Sequence, residues 1–135
     1  MSWGRSIGAV VAGFLATAVL SIGTDAVMHA TGVFPPLGVR MPDAMFVLPA
    51  VYRAAFTVVG GWVTARLAPH APMRHAWALA ALGTLGGLAG LAAGVAGGDA
   101  LGPLWYAVSI PVSAIPCILA GAWLATRRRV SVAAA

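Results

Sequence analysis

The stretch SIGAVVAGFLATAVLSIGTDAVMHA, residues 6–30, decides the fold class. It carries a single formal charge, Asp25, and is otherwise almost wholly apolar or small. A helix rises about 1.5 Å per residue, so a run of this length can cross a hydrocarbon layer of about 30 Å. Three further runs read the same way, at about 43–67, 76–98 and 103–126. They are rich in Ala and Leu and lack the alternation of an outer-membrane strand, which implies helices. The second run is the least hydrophobic, with Pro49 and Arg53 inside it.

Composition agrees with four membrane spans. Of 135 residues 61% are hydrophobic and 8% charged, whereas soluble domains carry about 25% charged residues. Eight arginines against three aspartates give a net charge of +5, and there is no lysine, which excludes a Schiff-base cofactor. The lone Cys117 forms no internal disulfide and reads as a small packing residue. Breakers fill the connections: Gly32, Pro35, Pro36 and Gly38 after the first span, Pro69 and Pro72 after the second, and Gly97-Gly98-Asp99 to Gly102-Pro103 after the third. Nothing stands apart as a second domain, so one bundle over 1–135 is expected.

Orientation follows from the arginines, because positive charge is retained in the cytoplasm. Arg5, Arg66, Arg74 and Arg127 to Arg129 share one side; Arg40, Asp43 and Asp99 share the other. Both termini are therefore expected inside. Trp3, Trp77 and Trp123 fall near the inner interface and Trp105 near the outer one. A cleaved signal peptide ending at Ala16-Thr17-Ala18 is the competing reading, but the apolar character runs on through Val27 and Met28.

Small and polar residues recur at every fourth position. Gly13, Thr17, Ser21, Asp25 and His29 form one row in the first span. Arg53, Thr57 and Gly61, with Gly60 and Thr64 beside them, form another, and Ser109, Ser113, Cys117 and Gly121 a third. The third span holds Gly83, Gly86, Gly87, Gly90, Gly94 and Gly98. Such rows let helices approach closely in lipid, either within the chain or between copies of it. Side chains lean towards their own helix N-terminus, so Arg53 should rise towards Asp25 and pair with it. His29 is one turn above on the same face, and Tyr52, Trp105 and Tyr106 fall at similar depth. The expected polar site is Asp25, His29, Arg53 and Tyr52, open to the outside. Its structural alternative is a charge pair that fixes helix register.

Other chemistries find little footing. His70 and His75 fall in the linker after the second span, which leaves His29 as the one intramembrane histidine and excludes bis-histidine haem ligation. A metal held by Asp25 and His29 would need Asp43 as a third ligand. No phosphate-binding loop, nucleophile elbow or HExxH motif occurs. No cofactor or metal is expected, and an enzyme is disfavoured. The Arg127-Arg128-Arg129 tail follows a span directly, so anionic lipid headgroups are its expected partner, rather than nucleic acid.

The segments Thr24-Asp25-Ala26-Val27-Met28-His29, Val33-Phe34-Pro35-Pro36, Tyr52-Arg53, Gly60-Gly61-Trp62 and Ala65-Arg66-Leu67-Ala68-Pro69 resemble a set of small, uncharacterised bacterial four-helix inner-membrane proteins. That resemblance covers most of the chain and implies the fold and a bacterial inner-membrane location, but no activity. Two functions are expected from the residues: a proton-linked or small-solute transporter acting as a homo-oligomer, or a non-catalytic accessory subunit of a larger membrane complex.

Overall fold

The computed structural model describes residues 3–134, with the side chains of 99–100 and 128–134 outside the description. The Asp99, Arg128 and Arg129 contributions to orientation thus lie outside the described residues. The chain is all-helical: α1 spans Trp3–Ala30, α2 Val47–Leu67, α3 Pro72–Gly97 and α4 Leu104–Ala134. Short 3₁₀ turns, Asp43–Phe46 and Gly98–Leu101, precede α2 and α4. All four helices are long and apolar enough to cross a membrane.

Local chemistry sets the ends. Pro69 drives the residue before it out of the helical region, and Ala68 is extended with ψ 127°, which stops α2. Pro72 then starts α3 at a position where its missing N–H costs nothing. α3 therefore begins earlier than hydropathy suggests, and Arg74 and His75 belong to its first turn rather than to a linker. α4 also outruns its expected end at Thr126. Its prolines, Pro111 and Pro116, remain inside the helix.

α4 packs extensively on both α2 and α3, α2 packs on α1, and α3 touches α1 and α2 only slightly. Around the bundle the order is α1, α2, α4, α3. The buried core is small side chains, chiefly Ala65, Ala76, Ala80, Ala122 and Ala125 with Leu79 and Ile118. Much of this core lies in the half nearest Arg5, Arg66, Arg74 and Arg127, here the arginine-rich end. The opposite, loop end carries the 31–46 connection and the 98–103 turn. Large apolar side chains face outward, among them Val19, Ile22, Leu85 and Val112, inverting the pattern of a water-soluble domain.

Glycine makes the helix crossings. A Cβ on Gly13 would overlap Thr64 and the Gly60 carbonyl; one on Gly61 would overlap the Ile118 backbone; one on Gly121, the Val58 carbonyl. α3 meets α4 at Gly87, where a Cβ would lie 2.9 Å from the Pro111 nitrogen. Gly83 and Gly94 make ordinary contact with α4, whereas Gly86, Gly90 and Gly98 meet open space. The α3 glycines therefore do not form one packing row: Gly83, Gly87 and Gly94 face α4, and Gly86 and Gly90 face outward.

Adding a methyl should separate these classes. Gly61→Ala is expected to cost about 1–3 kcal/mol by overpacking. Gly86→Ala should gain about 0.5–1 kcal/mol of helix stability. Unfolding in mild detergent measures both, and equal losses at the two sites would contradict this division of the glycines.

Candidate functional site

The α1–α2 register comes from three contacts. Thr64 donates to the Ala9 carbonyl at 3.1 Å, Thr17 donates to the Phe56 carbonyl at 3.3 Å, and Gly13 lies against Gly60. Each step of four along α1 is a step of four back along α2. By that register the Arg53 backbone is level with Leu20, about 7 Å nearer the arginine-rich end than Asp25. Both side chains lean towards their own N-termini, so Asp25 descends and Arg53 ascends.

They meet in an ion pair. Arg53 Nη2 donates to Asp25 Oδ2, and the Tyr52 hydroxyl donates to Oδ1. Both carboxylate oxygens are thus occupied by neighbours on one helix. The two charged side chains retain 33% and 27% exposure for Arg53 and Asp25. Tyr106 of α4 is close enough to interact with both charges, and its ring meets that of Phe46 at a tilt with ring centres 5.0 Å apart. Phe46 in turn covers Gly102, whose φ of +106° suits glycine. Trp105 joins the aromatic layer edge-on to Tyr106.

His29 is placed differently from the sequence expectation. Its Nδ1 donates to the Pro35 carbonyl at 2.8 Å, so that nitrogen carries a proton, and its ring meets Phe34 edge-on at 5.4 Å. Phe34 is buried, and its N–H bonds the Met28 carbonyl at 3.0 Å. His29 thus anchors the returning loop. Of the four expected site residues, Asp25, Tyr52 and Arg53 are joined by hydrogen bonds, and His29 bonds elsewhere. Phe34 and Phe46 carry the loop-end packing that residue spacing missed; aromatics inside a breaker-rich connection were the available signal.

Below the pair lies a crevice of about 350 Å³, roughly level with residues 14–22 of α1. Arg53, Thr57, Thr17 and Ser21 supply its polar groups, and Leu79, Ala114 and Ile118 close it towards the arginine-rich end. Its rim residues Phe14, Ile22, Leu82 and Gly86 are exposed, so it opens between α1 and α3, where the helices barely touch. Arg53 belongs to both the ion pair and the crevice, and its Nε–H is buried without an acceptor. Among the described residues no three His, Cys, Asp or Glu side chains group as metal ligands. No protein-family model, curated protein or solved structure matches this chain.

Hydrogen bonding orders the expected losses. Arg53→Gln should cost about 3 kcal/mol by leaving a carboxylate without its cation. Tyr52→Phe should cost about 1.5 kcal/mol, the worth of one charge-assisted bond. Combined with Asp25→Asn, Tyr52→Phe should be non-additive, whereas His29→Ala should add within about 0.5 kcal/mol. Additivity for Tyr52, measured by denaturation in detergent, would contradict the shared site.

Proposed function

We propose that the protein is a multi-pass protein of a bacterial cytoplasmic membrane, with both termini inside, and that it acts as a small carrier. Its working site is Asp25, Tyr52 and Arg53 at the head of the crevice. The observation that carries this reading is the double membership of Arg53, which neutralises Asp25 and also lines an open cavity. Ionisable groups inside spans are costly and are retained chiefly at sites of binding or movement. Protonating Asp25 removes the charge that holds Arg53. The guanidinium then becomes available to an acceptor-bearing solute in the crevice, so proton and solute binding support each other. Thr17, Ser21 and Thr57 offer further hydroxyls. Access is from the α1–α3 gap; the small-residue core blocks the arginine-rich end. A complete pathway therefore calls for helix movement or a second copy, and Gly86 and Gly90 offer a surface for close approach.

A second reading, the accessory subunit of a larger complex, is favoured by the full occupancy of the Asp25 oxygens. In it the pair only locks α1 to α2, with Gly86 and Gly90 docking on a partner.

Proton flux into vesicles separates the two. As a carrier, reconstituted protein should acidify a dye-loaded vesicle under an imposed proton gradient faster than empty vesicles do. Asp25→Asn should remain folded yet lose the flux at least tenfold, and the Asp25→Arg with Arg53→Asp exchange should not restore it. Flux equal to empty vesicles, with stability lost in the single variants and regained in the exchange, would replace the carrier by the clamp.

A further inference from the structure

A larger cavity than the crevice lies elsewhere. A groove of about 740 Å³ runs at the arginine-rich end between the start of α1 and the start of α3. His70, Arg74 and His75 form its polar side. The two imidazoles meet edge to face at 5.4 Å, and His75 Nδ1 donates to the Ala71 carbonyl at 3.2 Å, leaving Nε2 as its other polar atom. The first turn of α3 has no acid and no side-chain cap. A helix start is the positive end of its dipole, so basic residues there repel it unless an anion is present. The described carboxylates, Asp25 and Asp43, pair with arginines at the loop end, so they do not supply that anion.

The rest of the groove is apolar. Ile7 and Val11 of α1 are exposed along it, facing Ala78 of α3. From Arg74 to Ala78 and from Ile7 to Val11 the walls run one turn towards the middle of the bundle, where the exterior is uniformly apolar. A basic rim continuous with an apolar wall matches an amphiphile with an anionic head and a hydrocarbon tail. A free anion would leave Ile7, Val11 and Ala78 uncovered.

We infer that this groove holds one anionic phospholipid, its phosphate among His70, Arg74 and His75 and an acyl chain along Ile7, Val11 and Ala78. The inference rests on the membrane reading of the four helices, but not on the carrier reading.

The test is a thermal-unfolding titration of delipidated protein in mild detergent, with phosphatidylglycerol, phosphatidylcholine and inorganic phosphate as separate probes. Phosphatidylglycerol should raise the midpoint saturably, while the other two leave it in place. Arg74→Gln should demand about fivefold more phosphatidylglycerol for half the shift. The His70→Gln, His75→Gln double variant should weaken the response similarly. Arg127→Gln, which removes a guanidinium that stacks on Trp123 at the end of α4, should behave as wild type. An equal response to phosphatidylcholine, a full response to inorganic phosphate, or equal weakening by Arg127→Gln would overturn the inference. Each would mean, respectively, a tail-only site, a free-anion site or diffuse attraction to headgroups. No flux enters this readout, so a silent carrier assay leaves it intact and its failure leaves the carrier reading intact.

Discussion

Where α2 crosses its two main neighbours, glycines bring the backbones together, and only the short side chains of Thr17 and Thr64 fill the α1–α2 seam. Gly60 faces Gly13 of α1, and the adjacent Gly61 faces Ile118 of α4, whose own Gly121 faces Val58. Two consecutive glycines on a helix point about 100° apart, so one short segment of α2 brings two helices to backbone contact. In lipid, close packing and polar contacts hold helices together, because hydrocarbon solvates leucine as well as a neighbouring helix does. Thr17 and Thr64 add hydrogen bonds across the same α1–α2 seam.

Much else follows from that seam. It fixes the register that carries Asp25 to within reach of Arg53 and Tyr52, two turns beyond the contact. α3 is left to pack on α4 through Gly87 and Pro111, away from α1 except near Gly13 and Leu79. The gap between α1 and α3 is the crevice, and Arg53 stands at its head because the charge pair and the opening share one register. The arginine-rich half closes on alanines, and the crevice at mid-depth stays open around polar groups.

Much of this was legible in the residues. Period-four rows picked out Gly13, Thr17, Gly60, Gly61, Thr64 and Gly121, all of which lie at contacts, and the lean of side chains anticipated the Asp25–Arg53 pair. The α3 glycines were ambiguous because positions 83, 86, 87, 90, 94 and 98 occupy several helix faces, and only the placement of Pro111 shows which face is covered. The contact of His29 with the loop was not legible, because periodicity cannot see the chain returning through Phe34 and Pro35 to meet its ring. Neighbour order, with α4 rather than α3 beside α2, depends on contacts between distant segments. The crevice and the groove at the start of α3 are gaps between elements, and gaps leave no period in a sequence.

The central claim is that the glycine seam aligns the charges. Its most direct measurement is the Asp25–Arg53 coupling energy, obtained from a double-mutant cycle in the native background and again in Gly60→Ala. One added methyl at Gly60 pushes α1 from α2, so a coupling of about 1–3 kcal/mol in the native background should fall by at least half. An unchanged coupling would show that the pair forms independently of the seam, and would contradict this account.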